Sequence, residues 1–197
     1  IAALVRLFTE VPALYVADGH HRTAAAVRHG QQMRAAHPGG RGDEPYESFM
    51  AVVFPHDQLK ILDYNRVVKD LNGMSAEAFL AKIAERFIVG PGEAITPAAP
   101  RSFGMFLGGN WHRLEARPGS YPAADPVRGL DVSILQDNLL APILGIADPR
   151  KDTRIDFVGG IRGLSELEKR CREGWAVAFA LHPTSLDELM RVADSGV

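Results

Sequence analysis

One cysteine in 197 residues, Cys171, leaves no partner for an internal disulfide and excludes a zinc cage built on several thiolates. Its setting, in a stretch that reads as helix over residues 164–172, suits a bystander better than a nucleophile. Charge of either sign is in short supply as a net quantity: the formal balance is -2, too little to draw nucleic acid or an acidic membrane. A basic helix or patch with base-reading residues is missing too, so nucleic acid is not an expected partner. No apolar run approaches the roughly 18 residues that a bilayer span needs. Secretory signal, internal repeat and low-complexity tract are likewise absent, and the cytoplasm is the expected location. What the chain does have is apolar residues, 46% of the total, enough for a sizeable core without covalent staples.

The patterning is mixed. Ile1, Leu4, Val5 and Phe8 fall on one helical face, which Pro12 ends. Residues 14–17 form a short apolar run that reads as a buried strand, and a helix follows from His20 or His21 until Pro38-Gly39-Gly40. Strands over residues 48–54 and 60–64 flank Pro55-His56-Asp57-Gln58 and predict a hairpin. Ser75 caps a helix reaching Phe87, with Phe79, Leu80, Ile83 and Phe87 as its stripe. Gly108-Gly109-Asn110 joins strands 102–107 and 111–116 in a second hairpin. Residues 131–146 read as helical, with Pro142 expected to kink or split them. A strand over 154–158, a helix opened by a Ser165/Glu168 capping box, a strand over 175–181 and a helix with a Ser185/Glu188 capping box complete the order. Hairpins beside helix–strand–helix units predict an α+β fold, with a mixed sheet, packed helices and a strand–turn–helix motif at residues 14–30. We expect one domain over residues 1–197, with residues 118–126 as the place for an internal seam. The chain opens on Ile1 inside an already periodic segment and stops at Ser195-Gly196-Val197, which reads as a fragment of a longer protein lacking both ends.

The richest chemistry lies in Asp18-Gly19-His20-His21-Arg22. A strand turning sharply into a helix exposes the helix's first free N–H groups, and with the macrodipole these make an anion site. Gly19 lets a ligand approach the backbone and tolerates positive φ. Arg22 offers a planar fork for two phosphate oxygens. His20 and His21 can donate hydrogen bonds and move protons near neutral pH, and Asp18 can cap the helix, fix a histidine tautomer or hold Mg²⁺ indirectly. The phosphate cradle competes with a plainly structural reading, in which Asp18 caps, Arg22 pairs with a carboxylate and the histidines are buried donors. A metal site is third: adjacent helical residues point about 100° apart, so His20 and His21 rarely share an ion. The metal-dependent phosphoesterase that such a string can signal needs further Asp and His ligands. None of the other histidines lies in an acidic cluster.

Gly19-His20-His21-Arg22-Thr23-Ala24-Ala25 resembles the Gly-x-x-Arg-x-x-Ala nucleotide motif of the ParB and sulfiredoxin superfamily, which includes ParB-type CTP switches, ATP-using sulfiredoxins and free-serine kinases. The chain as a whole resembles an uncharacterised bacterial and archaeal family, domain of unknown function 1015. The likeness rests on Ala17 to Arg22, on Tyr64-Asn65-Arg66-Val67-Val68 and on Leu130-Asp131-Val132-Ser133-Ile134-Leu135. It implies a nucleotide ligand, ATP or ADP with Mg²⁺, and a kinase-like transfer of phosphate to a small hydroxyl-bearing metabolite. Gly19, His20, His21, Arg22 and Thr23 would hold phosphate, and Asp18, His20 and His21 would be the catalytic candidates. The rival implication is a non-catalytic, ParB-type switch that binds nucleotide and a partner. Family members usually carry a long segment before the first helix here and a Pro- and Lys-rich segment after the last, and the serine kinases place their candidate acid upstream of the motif. His20 stands where ParB proteins have an acidic residue, a departure from the CTP-hydrolysing pattern.

Two positions lie outside the turn. Arg66 follows a strand and could be a second phosphate clamp or the ion-pair partner of Asp63 or Asp70. Asp131 precedes an apolar helix and suits an N-cap, with an active-site carboxylate as the alternative.

Overall fold

The computed structural model describes residues 1–196, which form two compact units, one of residues 1–58 and the other from Leu59 onward. The first unit contains α1 (Ala2–Phe8), α2 (His20–Ala36) and two single 3₁₀ turns, Pro45–Glu47 and His56–Gln58. It has no strand. Residues 14–17, expected as a buried strand, run without ladder partners, and Leu14 is 63% exposed. Residues 48–54 form no hairpin strand either, and Met50 is 91% exposed. Both runs are apolar enough for a strand, but strand propensity reports packing against neighbours, and here each run lacks a paired one. α2 is instead tied to the Pro45–Glu47 turn. Arg34 Nε donates to both carboxylate oxygens of Glu47, each at 2.9 Å, and the rings of His37 and Tyr46 stack at 6.4 Å. Gly30, the one buried residue of α2, lets the Tyr46 carbonyl approach where a Cβ would sit only 3.0 Å from it.

The second unit holds the core. Its six strands are β1 (Tyr64–Val68), β2 (Phe87–Pro91), β3 (Ser102–Leu107), β4 (Asn110–Ala116), β5 (Ile155–Gly159) and β6 (Val177–Leu181). They form one sheet in the order β2-β4-β3-β6-β1-β5, and every neighbouring pair is antiparallel. The fold is therefore α+β. Alternation along the strands sends Val68, Phe103, Met105, Val177, Phe179 and Leu181 to one face, where α3 (Ala76–Ile83) and α4 (Asp131–Leu135) bring Phe79, Ile83, Ile134 and Leu135. The opposite face carries Val67, Phe106, Ala178 and Ala180, which meet Leu167 of α5 (Leu164–Arg172). A final helix, α6 (Leu186–Asp194), opens with the expected Ser185/Glu188 capping box.

The β3–β4 hairpin turns through Gly108 and Gly109, both at positive φ (+56° and +83°), as a two-residue turn matched to strand twist requires. Ser75 caps α3 by accepting from the Ala78 N–H, but the helix ends at Ile83 and Phe87 opens β2. The expected Ser165/Glu168 box does not form: Gly163 occupies the cap position of α5, and Glu168 accepts from Trp111 Nε1 at 2.9 Å. Pro142 does split the helix after residue 131. Five residues of α-helix pass into a π-helical turn, Gln136–Leu140, in which Ala141 N–H donates to the Gln136 carbonyl at 3.0 Å. A proline N lacks the donor an α-turn needs there and its ring crowds the preceding turn. Residues 118–126 lie inside the second unit, where Asn138 Nδ2 donates to the Ser120 carbonyl at 3.0 Å.

Candidate functional site

Gly19 sits at the head of α2 with φ 79° and ψ 27°, in the left-handed region. No side chain caps the helix there. Thr23 N–H already bonds to the Gly19 carbonyl at 2.9 Å, so the N–H groups of His20, His21 and Arg22 are those a helix leaves over. His20, His21 and Arg22 are exposed, and Thr23 is half-buried. The histidines are thus not the buried donors of the structural reading, and Asp18 does not cap. Its Oδ2 lies 3.4 Å from Arg22 Nη2, with the two side chains 94% and 84% exposed. A pair that exposed is worth little and opens easily to an incoming anion. Asp18, Gly19, His20, His21, Arg22 and Thr23 thus cluster by sequence adjacency at one helix N-terminus. Among the described residues, no group of three or more His, Cys, Asp or Glu side chains converges as a metal centre would need.

Arg66 and Asp131 belong to the second unit. Arg66 lies within β1 rather than after a strand. Its guanidinium sits over the Phe157 ring at 4.5 Å and the Tyr64 ring at 5.0 Å, and Nη1 donates to the carbonyls of Tyr64 and Asn65. Neither of its expected acid partners pairs with it. Asp63 accepts from Asn65 Nδ2 at 2.6 Å, and Asp70 is 3.5 Å from Arg154. Burial lowers the Arg66 pKa to about 10, since nothing anionic offsets the desolvated cation. Its neighbour Asn65 is fully buried and accepts from the Leu181 N–H at 3.0 Å, pinning β1 to β6.

Asp131 is the first residue of α4, not its cap, which is Leu130. The carboxylate turns away from its own helix. Oδ1 accepts from Arg101 N–H at 2.8 Å, while Oδ2 is buried without a hydrogen-bond partner. Arg101 holds φ 69°, uncommon for a side chain with a Cβ, and its guanidinium reaches Glu188 at 3.9 Å. Burial raises the Asp131 pKa to about 6; the Arg101 N–H and the charges of Arg101 and His182 pull it down, and Glu188 pushes it up. Arg66 faces Phe179 across β1 and β6, and β6 runs on through Leu181 to His182. Arg66 thus lies at mid-strand, whereas Arg101 and His182, which surround Asp131, lie just beyond the ends of β3 and β6. Of these groups, Arg101 and His182 had no sequence signal that marked them, while Glu188 was marked only as a capping residue and Asn65 only as part of the family-like segment: a strained φ and a long-range amide bond leave no trace in spacing.

The antiparallel sheet with its packed helices places the molecule in the α+β class. Residues 1–133 match the family described as "Protein of unknown function (DUF1015)", about two thirds of the chain, and the protein belongs to that family. No curated protein and no solved structure matches it. No helix among the described residues is long and apolar enough to cross a membrane.

Proposed function

We propose that the protein binds the phosphate groups of a nucleotide at the start of α2, in the manner of the ParB and sulfiredoxin superfamily that its motif resembles. The observation that carries this reading is the left-handed, uncapped Gly19, which leaves the first N–H groups of a 17-residue helix open beside exposed Arg22, His20 and His21. Arg22 and the helix N-terminus hold the phosphates, with Thr23 at the edge of the cradle. Asp18 supplies one carboxylate, which suits Mg²⁺ bound chiefly through the phosphates of ATP or ADP. Arg66, in the second unit, is a separate anion-clamp candidate, a desolvated guanidinium with no ion pair among the described residues. Phosphate passes to a small hydroxyl-bearing metabolite that Asp18, His20 or His21 orients or deprotonates. The phosphoesterase alternative has no converging donor set among the described residues.

Calorimetry with ATP, ADP and CTP in the presence of Mg²⁺ tests the binding. Arg22→Ala removes a charge-assisted contact and should weaken it about tenfold or more. Equal affinity in wild type and variant, or no binding by any of the three, refutes the cradle. Nucleotide consumption stimulated by a hydroxyl acceptor marks the phosphotransferase, whereas binding without acceptor dependence marks the switch.

A further inference from the structure

A cavity of about 240 Å³ lies in the second unit, apart from the residues of the helix start, between the loop after β4 and the π-helical turn. Arg86, Arg128, Ser120, Tyr121, Asp137 and Asn138 supply its polar lining. Its walls are held by identifiable bonds. Asp125 Oδ1 accepts from the N–H groups of Val127 and Arg128 at 2.9 and 2.8 Å, which fixes the loop that carries Arg128. Asn138 is only 4% exposed, and its Nδ2 is committed to the Ser120 carbonyl at 3.0 Å. The π-helical widening forced by Pro142 presents Asp137 and Asn138 to the cavity, and such turns recur at binding sites.

Electrostatics decides what this space suits. Two guanidiniums face one carboxylate, a surplus of one positive charge. Arg128 is shared with Asp137 at 3.4 Å, but Arg86 has no ion pair among the described residues. Ser120 borders the space, but its Oγ is buried in the wall and faces no ligand directly. At about 30 Å³ per water, the volume equals about eight waters, the scale of a small metabolite and too little for a nucleotide. We infer that this cavity binds a small metabolite bearing a carboxylate or phosphate group, held by Arg86 and Arg128, with Ser120 and Asn138 in the wall beside it.

Two-dimensional ¹H–¹⁵N NMR of the full chain, titrated separately with malate and with glycerol 3-phosphate, tests this. The expected result is a saturable shift of the Asn138 side-chain amide and the Ser120 backbone N–H with at least one probe. Preference between the probes tells carboxylate from phosphate, and equal response shows that the oxyanion itself is recognised. Arg86→Met, at an exposed position, should weaken the response about tenfold or more. No saturation by about 10 mM, tenfold above the usual metabolite range, overturns the inference. So does an Arg86→Met response equal to wild type, or shifts confined to residues 20–23, which would instead assign the anion to the helix start.

Discussion

Asp131 should make the protein lose stability as pH rises, the reverse of the behaviour of a salt-bridged aspartate. The carboxyl is only 9% exposed, and one of its oxygens has no donor. Burial raises its pKa from the ordinary 3.8 to about 6. Between those values the folded chain keeps a proton that the unfolded chain has released. Stability is then fully present below pH 3.8, falls through the window and levels above pH 6. The gap corresponds to about 3 kcal/mol at about 1.4 kcal/mol per pH unit. Asp131→Asn keeps an acceptor for the Arg101 N–H and removes the charge. The assay is urea unfolding of both proteins from pH 3.5 to 8, followed by circular dichroism, with the wild-type-minus-variant difference taken at each pH so that shared titrations cancel. The difference should move against the wild type by about 3 kcal/mol across the window. Two parallel curves would show that Asp131 ionises as freely in the fold as outside it, and the argument from its orphaned oxygen would be wrong.

Two further outcomes follow from packing. A Cβ on Gly92 would lie 2.5 Å from the His112 carbonyl carbon and 2.6 Å from the Arg113 nitrogen, both backbone; Gly92→Ala should therefore cost about 1–3 kcal/mol, read as a lower urea midpoint, and an unchanged midpoint would mean the β2 edge yields without cost. Burial pushes the Cys171 thiol up to about 11 from 9.0; iodoacetamide at pH 8 should alkylate it about a hundredfold more slowly than a free thiol, with the ordinary rate restored in denaturant.

The legible parts of the fold share a feature: their signals are local and chemical. Gly108-Gly109 demands positive φ and so announces the β3–β4 turn, the Ser185/Glu188 box closes on itself within one turn, and Pro142 breaks an α-helix whatever surrounds it. Signals that depend on a distant partner misled. Residues 14–17 and 48–54 have strand composition but no ladder. β1 was displaced because Asn65 and Arg66 look like surface residues, whereas Asn65 is buried to bond Leu181 and Arg66 lies over two aromatic rings. Ser165 has the spacing of a cap, yet Gly163 holds that place and Glu168 serves Trp111. At the candidate site, the glycine and basic cluster could be read directly because one turn holds them all. The environment of Asp131 could not, since it is assembled from residues 101, 182 and 188.

The strand order has a consequence for how the molecule is made. β6, the most deeply buried strand, lies between β3 and β1 although it ends at Leu181. During synthesis β1, which ends at Val68, waits for β5 until Gly159 has been added and for β6 until Leu181, its two neighbours both lying far downstream. The sheet then joins in its middle rather than growing from an edge. Such late, long-range pairing slows folding and prolongs the time that strand edges stand open to wrong partners. A chain cut at residue 133, where the family match stops, would lose the centre of its sheet and leave two separated halves, β2-β4-β3 and a lone β1.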